Sequence, residues 1–281
     1  MVPKLPAGLR PLRALTEGKT FRKFLDDDTL QFASREAFNR EIGQAARDPI
    51  TAEDALLSKL STDRLGLVLA GPGGVGKTRL AVQLGGEAEK QDWLVLQVER
   101  DARREAIEQL AREYVSSARV LLIIDYAEAA RSLFELVQEM ERANRDGQHA
   151  FRFIATCRES ALSAVKEALE GKTLEILPFS DRPDDRYATW VVRKILDHVE
   201  LPDSDSIAQV CAGLPVLAAF AVFLFKEHRD KFDAQFGRIH RGDDFEQWAD
   251  KRIKFALNAR GLDDQATRAR LPGGSAADAG R

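Results

Sequence analysis

The sequence predicts an α/β fold: a mostly parallel, five-stranded sheet covered on both faces by helices, followed by a small all-helical lid domain. Three observations carry that expectation. Short, near-continuous apolar runs alternate with amphipathic stretches from Leu65 to Leu177, the pattern of strands buried on both faces and joined by helices. The first of these runs leads directly into GPGGVGKT, a glycine-rich turn that opens a helix. After Pro178 the strand signal stops and only helical periodicity remains.

Taken in order, residues 1–30 hold Pro3, Pro6 and Pro11 among scattered basic residues, then the acidic run Asp26, Asp27 and Asp28, and read as an extended lead-in. Residues 31–62 are expected to form an N-terminal helical segment. Ser34 is placed to cap a helix bearing Ala37, Phe38 and Ile42; Pro49 ends it, and Thr51 restarts another through Leu56, Leu57 and Leu60. Residues 63–180 hold the sheet, with strands expected at Leu65–Ala70, Trp93–Val98, Val120–Ile124, Phe151–Thr156 and Leu174–Leu177. The helices between them include Arg103–Tyr114, with Ala106, Ile107, Leu110 and Ala111 along one face. Residues 181–260 form the lid, with helical periodicity over 184–199, 206–225 and 245–257. Residues 261–281 lack the apolar content to pack and are expected to be a disordered tail.

The chemistry is concentrated at the first strand's end. Gly71, Pro72, Gly73, Gly74, Val75, Gly76, Lys77 and Thr78 fill the phosphate-loop template without a mismatch. Glycines let such a loop curl so that successive N–H groups face one point, where the next helix adds the positive end of its dipole. Lys77 is then the residue that reaches the β- and γ-phosphates, the Thr78 hydroxyl is a Mg²⁺ ligand, and Arg79 follows in the first helical turn. Residues 63–180 therefore read as a P-loop NTPase core. The third apolar run, in LLIIDYAE, ends at Asp125, which is carried to the same sheet edge as a second Mg²⁺ holder in the Walker B manner. The next position, where many related ATPases carry an acid, is Tyr126. Glu128 either reaches the hydrolytic water or serves as a first-turn helix acid stabilised by the dipole; slow turnover is expected.

Composition bounds the rest. The 281 residues are 44% hydrophobic and 31% charged, as in a soluble globular protein with a sizeable core. A net charge of −3 gives no global pull toward nucleic acid or an anionic membrane. Cys157 and Cys211 sit in no metal-ligand or redox spacing and read as free thiols of a reducing compartment. No apolar run reaches spanning length and no signal-peptide core is seen, so a cytoplasmic protein is expected.

GPGGVGKT, LLIIDYAE, FIATCRES and CAGLPVLA, in that order, resemble the STAND class of P-loop ATPases, which includes the NB-ARC or AP-ATPase proteins of plant resistance and apoptosis and bacterial relatives in signalling and phage defence. FASREAFNREI, residues 32–42, is similar to the motif with which the family opens. The resemblance covers residues 30–225 and implies roles for three further positions. Arg158 matches the arginine that senses the γ-phosphate; its lesser alternative is a surface arginine capping a strand end. Gly213, Leu214 and Pro215 match the GLP motif, whose proline packs on adenine; outside this context they would be a helix junction. Arg35 matches an arginine near the nucleotide. The winged-helix domain, repeat array and effector domain usual in the family are not visible in the sequence.

The resemblance thus implies an ATP- and ADP-binding, Mg²⁺-dependent, slowly hydrolysing switch whose lid moves with nucleotide. It further implies a homo-oligomer in the ATP state and a separate sensor or effector protein as partner. An AAA+-like motor or loader acting on nucleic acid or protein is the alternative; it calls for an acid directly after Asp125, which Tyr126 is not. A small-molecule kinase and a non-hydrolysing scaffold rank below these.

Overall fold

The computed structural model describes residues 5–15, 30, 32–42, 50–62, 64–113, 119–146, 150–180, 185–199, 201, 204–211 and 213–227. The chain divides into two units, Met1–Arg229 and Asp230–Arg281, and all described residues belong to the first. The helix expected over 245–257 and the tail expected over 261–281 lie outside the described residues.

Among the described residues six strands form one sheet: β1 (Leu9–Pro11), β2 (Gly66–Ala70), β3 (Leu94–Val98), β4 (Arg119–Ile124), β5 (Ala150–Cys157) and β6 (Leu174–Pro178), in the order β1-β3-β4-β5-β2-β6. The five strands read from apolar runs are all parallel. The expected count of five is corrected to six by β1, which pairs antiparallel with β3, Leu9 opposite Val98. Three residues offer no alternation to read, so β1 exists only through its partner. Pro11 is tolerated there because β1 lies at the sheet's edge. A 3-10 turn, Leu12–Leu15, follows, and Leu12 is buried close to Gly85 and near Ile123.

α1 (Arg35–Ile42) comes first in the chain, and α2 (Glu53–Thr62), α3 (Lys77–Glu89), α4 (Arg104–Glu113), α5 (Leu133–Arg145) and α6 (Leu162–Ala168) cover both faces. The two-residue period of the strands sorts their side chains. Leu67, Leu69, Leu121, Ile123 and Ile154 pack with Leu56 and Leu60 of α2 and Leu80 and Leu84 of α3. Val68, Leu122, Ile124, Phe151 and Phe153 pack on the other face with Ile107 of α4 and Leu136, Val137 and Met140 of α5. Burial of this two-sided apolar set, at roughly 25 cal/mol per Å², is the principal force holding the sheet.

Beyond the sheet lie α7 (Arg186–Asp197), α8 (Ser204–Cys211) and α9 (Pro215–Glu227). Asp185 caps α7, its carboxylate accepting the Ala188 N–H at 2.9 Å. The single helical stretch expected over 206–225 is corrected to two helices. Gly213, at φ 79°, turns the chain out of helical space, and Pro215 starts α9 at a position where no N–H is needed. No helix among the described residues is long and apolar enough to cross a membrane.

Candidate functional site

Strand register assembles the site. Ala155 of β5 pairs with Ile124 of β4, and Cys157 pairs with Ala70 of β2. Asp125, Thr156, Arg158 and Gly71 therefore emerge together at the carboxyl edge of the sheet, with β5 between the loop-bearing strand and the strand ending at Asp125.

The loop from Gly71 to Gly76 turns through left-handed backbone at Gly74 (φ 83°) and Gly76 (φ 97°), conformations costly for any residue with a Cβ. Around Gly73 and Gly76 no described residue comes within 4 Å of where a Cβ would lie, which leaves a cradle beside the backbone. Lys77, the first residue of α3, is only 8% exposed, and its ammonium folds back to donate to the Gly71 carbonyl at 2.7 Å and to the Pro72 carbonyl. Burial pulls its pKa below the ordinary lysine value. The neighbouring Cys157, Glu128 and Asp125 oppose that shift, and Arg158 adds to it. A cation held by loop carbonyls above an empty glycine cradle, at a helix N-terminus, fits a bound polyphosphate.

Thr78 and Asp125 are brought into contact, the hydroxyl donating to Asp125 Oδ1 at 2.8 Å. A residue that sequence reasoning missed completes this group. The buried Thr156 hydroxyl also donates to Asp125 Oδ1 at 2.8 Å, and it accepts the Tyr126 N–H at 2.9 Å. Tyr126 sits at φ 61° and ψ 64°, left-handed for a bulky residue, so Thr156 fixes both the carboxylate and the turn that follows it. Only the pairing of β5 beside β4 reveals this; in sequence Thr156 is an ordinary strand threonine. One hydroxyl and one carboxylate meeting at the loop's end are hard oxygen donors suited to Mg²⁺.

Arg158 and Glu128 meet each other. The Arg158 backbone N–H donates to Glu128 Oε1 at 3.3 Å and its guanidinium lies 4.0 Å from the same oxygen. With the arginine side chain 61% exposed, the pair contributes at most about 1 kcal/mol. The lid reaches the loop at α9: the Val216 N–H, next to Pro215, donates to the Gly74 carbonyl at 3.1 Å. A Cβ at Gly74 would lie 2.4 Å from the Val216 methyl, so this approach requires glycine.

Two further residues named from the sequence, Arg79 and Arg35, have partners within the protein. Arg79 turns toward the N-terminal segment, its guanidinium 5.7 Å from the Phe32 ring centre and donating to the Leu30 carbonyl at 3.3 Å. Arg35, expected near nucleotide, is buried, with its guanidinium carbon 5.2 Å from the centre of the Phe179 ring and 5.1 Å from that of Tyr187. A cleft of about 360 Å³ at the opposite sheet edge, lined by Arg64, Asn144, Arg145 and Arg152 among others, offers little chemistry: Asn144 and Arg152 already serve the Phe151 and Leu60 carbonyls.

The fold and this loop define a P-loop NTPase. Residues 31–170 match the family model described as Novel STAND NTPase 5, and over that stretch the chain is similar to STAND-class NTPases. No curated protein matches the sequence. Among solved structures, the Thermotoga maritima RuvB Holliday junction branch migration motor is similar at 17% identity and a TM-score of 0.46, over 69% of this chain and 64% of that one. PCH-2 of C. elegans is similar at 16% identity and 0.41, over 62% and 58% of the two chains. S. cerevisiae Hsp104 in its casein complex is similar at 13% identity and 0.45, over 63% and 37%. The chain thus spans under two thirds of these proteins' lengths, and likenesses this loose say nothing of activity.

Proposed function

We propose that the chain is an ATP-responsive switch that binds ATP or ADP with Mg²⁺ at Gly71–Thr78 and converts the presence of the terminal phosphate into movement of α7–α9. The observation that supports this best is the Val216–Gly74 hydrogen bond, which ties the lid to a loop peptide that must adjust to phosphate. In this reading the backbone N–H groups of residues 73–78 hold phosphate oxygens, and Lys77 exchanges the Gly71 and Pro72 carbonyls for phosphate. Thr78 and Asp125 hold Mg²⁺, with Thr156 keeping Asp125 oriented. Mg²⁺, when bound, neutralises charge on the phosphates. Arg158 leaves Glu128 for the γ-phosphate, and Glu128, thus released, is free to orient water. Because that acid must first be freed and Tyr126 occupies the position next to Asp125, turnover is slow. Pro215 contacts the base. Oligomerisation of the ATP form, action with a separate sensor or effector in signalling or phage defence, and a cytoplasmic setting complete the reading.

Calorimetric titration with ADP and with a non-hydrolysable ATP analogue tests it. Wild-type protein is expected to bind both, and Lys77→Ala to lose the triphosphate. Absence of heat with either nucleotide on folded protein would overturn the reading. ATPase activity strongly stimulated by DNA would instead favour a motor or loader.

A further inference from the structure

We propose that Arg35 is a pin across the joint between sheet and lid, a positioning residue that sets the lid's angle; its purpose, though not its geometry, rests on the switch reading above. The chain leaves the sheet at Pro178 and resumes as helix at Arg186. Arg35 touches both ends of that passage. Its guanidinium carbon lies 5.2 Å from the centre of the Phe179 ring, one residue past β6, and 5.1 Å from that of Tyr187, the second residue of α7. A planar cation can face two rings at once, which an ammonium on a flexible stem cannot do as well.

The helix that carries Arg35 is itself fastened to both sides. On the core side, the buried Glu53 of α2 caps α1, its carboxylate accepting the Arg35 N–H at 2.8 Å and the Glu36 N–H at 3.4 Å. On the lid side, the Tyr187 hydroxyl donates to the Ala33 carbonyl at 2.9 Å, and Phe38 meets Tyr187 and Trp190 edge-on at 5.3 and 5.5 Å. Farther along, Lys194 of α7 pairs with Glu41 at 2.8 Å. So α1 bridges the joint, and Arg35 sits at its centre.

The pin is held at a cost. Arg35 Nε is buried and has no hydrogen-bond partner among the described residues, while burial also lowers the guanidinium's pKa against the favourable fields of Tyr187, Glu53 and Asp185. A buried donor left unmet favours any lid position that supplies it an acceptor. A lid movement that meets this donor is thereby favoured over one that does not, which lowers the bias a nucleotide contacting the lid must supply.

Hydrogen exchange of the full chain without nucleotide tests the pin independently of nucleotide binding. Arg35→Met and Arg35→Lys are both expected to raise exchange in α7 (186–197) and α1 by at least about tenfold, while β2 and α3 keep their protection. Tyr187→Leu should do the same, and the Arg35→Met/Tyr187→Leu double variant should go no further than the larger single effect. Wild-type protection of α7 in Arg35→Lys, or effects that multiply in the double variant, would overturn the proposal. Should Arg35→Met not fold, Phe179→Leu carries the same expectation, and unchanged α7 protection there overturns it equally. Where the wild type shows different α7 exchange with ADP and with the ATP analogue, Arg35→Lys should abolish the difference, a change that a merely structural arginine would not make.

Discussion

At the scale of single residues, the site is a chain of hydroxyls and carboxylates fixed by strand pairing. Thr156 is its keystone: one hydroxyl orients Asp125 and satisfies the N–H of the strained Tyr126. Thr156→Val keeps the shape but leaves that N–H unpaired, so it is expected to destabilise the protein by about 1–3 kcal/mol, whereas Thr156→Ser retains the bonds. Urea unfolding of both variants checks this; a Val variant as stable as wild type would remove Thr156 from the role. Most of this constellation was legible in sequence, because Lys77, Thr78 and Asp125 belong to a fixed template. Thr156 and Glu53 were not, since their partners lie 31 and 18 residues away and only the fold brings them near.

At the scale of elements, the parallel strands and their helices were readable because burial on both faces leaves an almost uninterrupted apolar record. Packing between elements was not. Gly66 on β2 lies beneath the Phe153 ring, where an added Cβ would approach ring carbons to between 2.2 and 2.5 Å. Gly66→Ala is therefore expected to cost about 1–3 kcal/mol by overpacking, and Phe153→Leu in the same chain to recover part of it. Thermal melts of the single and double variants measure the coupling, and additive losses would contradict the contact. The lid shows the same division. Its helical character was evident, but the break at Gly213 is a backbone event that places Val216 on Gly74, and periodicity alone ran through it.

At the scale of the whole molecule, stability should depend on pH in a direction set by buried thiols. Burial raises Cys157 from the ordinary 9.0 to about 11 and Cys211 to about 12. Above pH 9.0 the unfolded chain releases these protons while the folded chain keeps them, so stability falls as pH rises and continues to fall until the folded thiols titrate. Lys77, lowered by burial, acts in the opposite sense, because there the folded state gives up its proton first. Urea midpoints from pH 8 to 10.5 are expected to fall less steeply in a Cys157→Ala/Cys211→Ala variant than in wild type, an expectation that equal slopes would refute.

By itself the sequence determined which residues make up the candidate site and where in the fold they lie. Glycine spacing, a lysine and a hydroxyl at a helix start, and an apolar strand ending in an acid are local patterns, and local patterns survive in one dimension. The tertiary structure alone decided what joins them. It added β1 as a sixth strand, set β5 between β2 and β4 so that Thr156 meets Asp125, and brought Arg35 to the rings of Phe179 and Tyr187 at the core-to-lid joint. Such contacts depend on hydrogen-bond register and close packing between distant segments, and neither leaves a periodic trace in the order of residues.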